Sequence, residues 1–282
     1  MTTPPVQAPT NTTTAAPRHT SSAQTVITRL RRAVTPLLVL VLVIALWYVI
    51  SYLVLDPARR FLMPPPHQVV TDGLLGDSSS EMWNALGRTA TVALTGLLIA
   101  AVIGIAWAVV MSQSSSAEQA LFPYAVILQC IPILALVPLI GFWFGFGFSA
   151  RVFVCVLIAL FPIVSNTLFG LKSVDPRMHD LFALHHPRRL TVLRKLQFPA
   201  AMPAIFAGLR ISAGLAVVGA IVGDFFFKQG EPGIGVLLDN YRSRLQSADL
   251  FAAIILASLL GVVVFVFFGW LGNRVVGRWY QR

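Results

Sequence analysis

Gly170–Pro203 reads GLKSVDPRMHDLFALHHPRRLTVLRKLQFPAAMP, the one long polar and basic stretch standing between two strongly apolar ones. If the flanking runs cross a membrane, this stretch must leave it, and its place in the chain fixes the direction of every other run. Hydrophobic residues form 56% of the 282 and charged residues only 11%, with a mean hydropathy of +0.77, a balance that a soluble domain of this length does not need. Several runs approach or exceed the roughly 20 residues with which a helix crosses about 30 Å of hydrocarbon. They lack the alternation of barrel strands, so an all-α integral membrane protein is expected.

Working outward from the loop, taken as 172–203, a fourth span of about 150–171 precedes it and a fifth of about 204–227 follows. Earlier runs place spans at about 34–55, 88–111 and 120–144, and a last run at about 249–271, six in all. The third is interrupted by Pro123, Pro132 and Pro138. Proline frees carbonyls and bends a membrane helix, so Pro132 and Pro138 are candidates for a pore wall or a packing kink. Residues 1–33 read as a disordered cytoplasmic tail: Met1–Thr28 is rich in Thr, Ser, Pro and Ala, contains no acidic residue, and cannot bury enough apolar surface to fold. Asp56–Gly87 is expected outside, extended at Pro64–Pro66, as is the loop Lys228–Ala248.

Charge tests the topology. With both termini in the cytoplasm, the inside segments hold thirteen of the 21 basic residues and the outside segments five, Arg59, Arg60, Lys228, Arg242 and Arg244. Arg88, Arg151 and Arg210 fall in helices. Cytoplasmic loops collect Lys and Arg, which favours this orientation and explains the net charge of +10 without nucleic acid. No basic run carries the interleaved aromatics of a nucleic-acid surface.

The spans are nearly free of ionisable groups. The fifth holds Arg210 near its inner end and Asp224 near its outer end, 14 residues or about 21 Å apart on a helix, too far to pair with each other. Arg210 reads equally as a snorkelling side chain or as a functional contact, and Asp224 as an external-mouth or loop-anchoring residue. The same span is dense in small residues, among them Gly208, Gly214, Gly219 and Gly223, which permit close approach of another backbone. No Gly-rich run ends in Gly-Lys-Ser/Thr, so any use of ATP belongs to another chain. All five histidines lie outside the spans, and His179, His185 and His186 beside Asp180 read as solvated loop residues, not a metal site. Cys130 and Cys155 read as small apolar residues. A carrier running alone on an ion gradient is the competing reading, and it would need an ionisable relay where only Arg210 and Asp224 are on offer.

The loop resembles the cytoplasmic loop of permease subunits of type I ABC importers, the binding-protein-dependent transport family. That family carries Glu-Ala-Ala, then Gly, then Ile-x-Leu-Pro at fixed spacing. Matching positions here are Asp180, Leu181 and Phe182, then His186, then Leu196, Phe198 and Pro199. The surroundings, Ser173–Pro176, Gly208–Arg210 and Gly233–Gly235, look like the nitrate, sulfonate and taurine branch, and the likeness covers about 46–272. It implies a six-helix permease fold in the plasma membrane and a loop of two short helices, with Arg188 and Arg189 at the second, seated in a partner ABC ATPase. It also implies a second permease copy or paralogue, an external substrate-binding protein, and ATP and Mg on the partner rather than on this chain. The cargo implied is a sulfonate-, nitrate- or taurine-type solute or a related small organic compound.

Overall fold

A computed structural model describes residues 22–185 and 187–280, with side chains from 34 to 277 apart from 186. The described residues are helical throughout, with turns and no strands. Five helices are long and apolar enough to span a membrane, or six if one bent pair is a single span.

The chain divides into two units, Met1–Leu55 and Asp56–Arg282. The first carries α1 (Ser22–Val49), which continues through a wide π turn over Ile50–Val54. Val34–Val54 is exposed on nearly every side, as suits a helix whose solvent is lipid. The expected span began at Val34; the helix begins at Ser22.

In the second unit, Asp56–Gly87, expected to be extended at Pro64–Pro66, is largely helical on either side of the prolines. It contains a 3₁₀ turn (Pro57–Leu62), the single turn α2 (Pro66–Gln68), a π turn (Val69–Leu74) and the first residues of α3 (Ser79–Ser112). At Pro65, with φ −63° and ψ 151°, the backbone is extended. Proline fixes φ at a value that also suits a first helical turn, so the proline run starts a helix as well as breaking one.

Ser114 caps α4 (Ser115–Cys130), accepting a hydrogen bond from the Ala117 N–H at 3.1 Å. The helix stops at Ile131 and Pro132, both extended, and α5 (Ile133–Phe144) leaves at 98°. Of the three prolines in this run, Pro123 and Pro138 are accommodated inside helices and Pro132 makes the break. Gly145, at φ +75°, turns the chain into α6 (Phe148–Lys172).

The basic stretch then forms α7 (Pro176–Ala183) and α8 (Arg189–Val192), and a π turn (Leu193–Gln197) leads without interruption into α9 (Phe198–Phe226). The fifth membrane helix therefore starts at Arg189, some fifteen residues before the expected span. After a clamped loop come α10 (Ile234–Ser243) and α11 (Ser247–Tyr280).

Helices α6 and α9 run antiparallel at the centre, flanked by α3 and α11, around an apolar core that includes Val92, Ala100, Ala159, Ile163, Ala216 and Ala220. The glycines of α9 explain the closeness. A Cβ at Gly219 would lie 3.0 Å from the Cys155 Cα, one at Gly223 3.0 Å from the Arg151 Cα, and one at Gly208 2.9 Å from the Pro162 oxygen. Gly214 is different: a Cβ there meets nothing within 4 Å. We therefore expect Gly223→Val to cost about 1–3 kcal/mol by overpacking, and Gly214→Ala to leave the melting temperature of the purified protein unchanged or slightly raised.

Candidate functional site

Two places in the second unit carry more polar chemistry than packing requires, and they lie at opposite ends of the bundle. The Lys172–Glu118 ion pair, 2.6 Å, joins the end of α6 to the start of α4 and marks the basic end, where α7 and α8 project.

At the other end, Asp224 of α9 is fully buried and faces Arg151 of α6, itself only 4% exposed, with Nη1 3.1 Å from Oδ1. Oδ1 thus has a neighbouring charge but no hydrogen bond of ordinary geometry. Oδ2 accepts a hydrogen bond from the Thr89 hydroxyl of α3 at 2.6 Å. The three central helices thus meet at one ionic junction.

The remaining donors of Arg151 grip the loop that follows α9. Nε donates to the Phe227 carbonyl at 2.8 Å, Nη2 to Gln229 at 3.0 Å and Nη1 to Glu231 at 3.2 Å. Arg88 of α3 completes the grip, donating to the Pro232 carbonyl at 3.2 Å and pairing with the Glu231 carboxylate at 2.7 Å. Thr89 also accepts from the Ile234 N–H at 2.8 Å, and Gln229 N–H donates to the Phe146 carbonyl at 2.9 Å. A planar five-donor fork suits this task because one cation satisfies several carbonyls that lipid cannot. Gly230 supplies the positive φ of +86° that the loop needs.

Glycines seat the loop on the junction. A Cβ at Gly233 would overlap the Asp224 carboxylate, and one at Gly235 would overlap the Ile221 carbonyl. Helix α10 then lies with Ile234, Val236, Leu237 and Tyr241 buried, and Asp239 holds Lys228 and Arg242 at its rim. Hydrogen bonds from Lys228 and Arg242 keep the Asp239 carboxyl below its ordinary range. The folded pKa being the lower, this rim contact is complete above the ordinary carboxylate value and is lost as pH falls through the depressed one.

Thr89 is the link between junction and loop, since its one hydroxyl both donates to Asp224 and accepts from Ile234. Thr89→Val keeps the shape and takes a hydrogen-bond partner from both the buried Ile234 N–H and Asp224 Oδ2. We expect a loss of about 1–3 kcal/mol, read as a lowered melting temperature, with faster tryptic cleavage at Lys228.

Beside the break in the bent pair, a cavity of about 230 Å³ lies between α4, α6 and α9. Leu128, Ile133, Leu157 and Phe161 line it, with Gln129 the one polar side chain on its wall. The adjoining α6 contains Pro162 in its interior, whose carbonyl accepts from the Asn166 side chain at 2.8 Å.

At the basic end, Asp175 caps α7 by accepting from the Arg177 N–H at 2.8 Å, with Pro176 at the first helical position. The α7 face is open: Met178, Leu181 and Leu184 are 46%, 53% and 74% exposed, and Leu190 of α8 is 71% exposed. Arg177, Arg188 and Arg189 are exposed beside them. The apolar residues Leu190, Leu193 and Leu196 divide between two surroundings. Leu196 is buried and Leu193 packs on Leu171, Ala201 and Ile205, so these two hold α8 to the bundle while Leu190 faces out.

The structure gathers some of the residues singled out in the sequence and separates others. Asp180, Leu181 and Phe182 share α7; Phe198 and Pro199 open α9; His186 lies outside the described residues. Gly208, Gly219 and Gly223 face α6, whereas Gly214 and Arg210 face α11, where the guanidinium lies 4.1 Å over the Phe265 ring. Asp224 has a partner that sequence reasoning missed. Arg88, Arg151 and Asp224 all stand at the ends of their spans at one depth, and a buried carboxylate there requires a cation from another helix; that shared depth was the available signal.

Residues 85–277 match the family described as the binding-protein-dependent transport system inner membrane component. The chain is 31% identical over 234 residues to the formylaminopyrimidine transport permease protein ThiX of Halalkalibacterium halodurans, covering 83% of this chain and 91% of that one. It is 31% identical to the riboflavin transport system permease protein RibX of Chloroflexus aurantiacus, covering 78% of this chain and 81% of that one. It is 31% identical also to a putative aliphatic sulfonates transport permease protein, SsuC of Escherichia coli, covering 78% and 82%. In fold it is similar to a crystal structure of an amino acid ABC transporter with histidines, at a TM-score of 0.53 and 18% identity over 70% of this chain and 93% of that one. The chain therefore belongs to the binding-protein-dependent transport family, as a type I ABC importer permease and a multi-pass protein of the cell membrane.

Proposed function

We propose that this permease carries a small organic compound, delivered by an external binding protein, and that the face formed by α7 and Leu190 seats in a partner ATPase holding ATP and Mg. The observation that carries the reading is the combination on that face: capped, short and basic, with Met178, Leu181, Leu184 and Leu190 left uncovered by the chain's own packing. Exposed apolar side chains grouped in this way and rimmed by arginines suit a protein groove better than solvent. Asp180, Phe182, Arg188 and Arg189 form its polar and structural frame, and Phe198 and Pro199 join it to α9. The basic end then lies in the cytoplasm, with both termini, and the Arg151–Asp224 junction lies outside, where the loop Phe227–Ile234 and α10 meet the binding protein.

A motion of α7 and α8 passes directly into α9, since no break separates Arg189 from Phe226. Helix α9 ends in the junction that holds the outer loop. One rigid element therefore joins the ATPase side to the delivery side. The transport unit requires a second permease, either a copy of this chain or a paralogue.

For the cargo, the cavity at the helix break favours an uncharged planar compound over a free anion. Its wall is aliphatic and aromatic with a single amide, Gln129, and no cation. Ring compounds are named in two of the relatives, a formylaminopyrimidine and riboflavin. Competition uptake in membranes bearing the assembled transporter tests this. Heteroaromatic compounds are expected to displace the cargo and aliphatic sulfonates are not; displacement by sulfonates alone would overturn the choice.

A further inference from the structure

Helices α9 and α11 leave a groove along their outward faces. Its larger part, about 530 Å³, is apolar and lined by Gly214, Val218, Ile221, Gly261 and Val262 among others. Toward the basic end it is followed by a second recess of about 190 Å³ that contains Arg210 and Asn273, with Arg210 lying over Phe265 of the first. Glycines open both parts. A Cβ at Gly214 meets nothing within 4 Å and one at Gly261 meets only Val217, at 3.9 Å, while Gly269 gives the Arg210 side chain room, with its Nε 3.0 Å from where a Cβ would stand.

Arg210 is exposed, and none of the five ion pairs among the described residues includes it. Near it, Trp270 is exposed, with the Arg274 guanidinium 5.3 Å from its ring, a pairing that belongs at the boundary between hydrocarbon and headgroups. The Phe265 ring lies 4.1 Å from the Arg210 guanidinium but carries no full charge, so this arginine on a spanning helix's outer surface still calls for an anion. The distances fit one kind of anion. From Arg210 to Ile221 is eleven residues, about 16 Å of helix rise, close to half of a hydrocarbon core of about 30 Å. The groove is thus one leaflet deep, apolar along its length and cationic at its headgroup end.

We propose that this groove binds a single anionic phospholipid of the leaflet on the basic side, its phosphate at Arg210 and Asn273 and an acyl chain along Gly214, Val218 and Ile221. A spanning helix is the other shape that could lie here, but it would run past Arg210. The exposed α1 span of a second copy, Val34–Val54, holds no acidic residue with which to neutralise it. Basic recesses between membrane helices on the cytoplasmic side are where anionic headgroups are held.

The test uses the delipidated full-length protein in detergent, titrated with phosphatidylglycerol, with phosphatidylcholine of the same acyl chains, and with inorganic phosphate, with bound lipid read by native mass spectrometry. Phosphatidylglycerol is expected to bind about fivefold more tightly than phosphatidylcholine, the preference that one arginine near the surface supplies. Arg210→Gln should bring the ratio to about one. Gly214→Leu, which has space to fold, should weaken both lipids by filling the groove. A preference that survives Arg210→Gln overturns the proposal, as does a phosphate ion that blocks the site while Gly214→Leu changes nothing. A disulfide between two copies of Gly214→Cys in a Cys130→Ala background would show that a second permease covers the groove, and would overturn it equally.

Discussion

Arg151→Ala is expected to produce the largest loss of stability of any single substitution in the described bundle. It removes the cation from a fully buried carboxylate and, in the same step, strips donors from the carbonyls of Phe227, Gln229 and Glu231. Breaking a buried pair by removing one partner costs roughly 3–5 kcal/mol, because the other charge stays behind without water. The carbonyls add to this, since the loop cannot turn all of them to solvent while Gly233 and Gly235 hold it against Asp224 and Ile221. The expected result is little folded protein in the membrane, or a strongly lowered melting temperature with rapid proteolysis at Lys228. Asp224→Asn should be much milder. An asparagine oxygen can still accept from Thr89, and Arg151 keeps three carbonyl partners that carry partial negative charge. Equal damage from the two substitutions would mean that the ion pair matters and the grip on the loop does not.

The second large effect lies at the other end and should leave stability alone. Leu181→Asp with Leu184→Asp changes two side chains that are more than half exposed, so the purified chain should melt within about 0.5 kcal/mol of the wild type. Capture of the partner ATPase should nevertheless fail. An apolar anchor at the centre of an interface is worth about 2 kcal/mol or more, roughly thirtyfold in affinity for each, and a buried aspartate adds a desolvation cost. Leu196→Asp offers the contrast. Leu196 is buried against the bundle, so that substitution should destabilise the chain itself. If Leu196→Asp instead leaves the fold intact and abolishes ATPase capture, the docking face has been placed on the wrong side of the segment.

Much of the architecture was legible because it follows from the solvent. Apolar runs of spanning length and the small residues of α9 required only that lipid accepts no backbone partners and that glycine permits close approach. The basic segment was equally visible, as the one long polar stretch between two apolar runs. What could not be read was the choice among surfaces. Leu190 and Leu193 are the same residue type three positions apart, yet one faces outward and the other joins Leu171 and Ala201, a choice that only the packing of the segment on α6 and α9 decides. The extended stretch at Pro64–Pro66 was legible, but not the helical turns on either side of it, since proline begins a helical turn as readily as it ends one. The Arg151–Asp224 pair joins residues 73 positions apart, and only the packing of α6 on α9 decides that Arg151, rather than Arg210 on the same helix as Asp224, supplies the charge.

Helix α9 links both ends of this account. Its first residues continue from α8 without a break and its last residues hold the outer loop through Asp224. This continuity is expected to couple a partner's ATP hydrolysis to delivery from outside. The direct measurement is cargo uptake into proteoliposomes containing the full-length chain, with and without the ATPase that copurifies with it, ATP inside the inward-facing compartment and the binding protein outside. Uptake that needs all three components, and that Leu181→Asp with Leu184→Asp abolishes, is the predicted result. Uptake by the chain alone, collapsing when an ion gradient is dissipated and indifferent to those two substitutions, would contradict it.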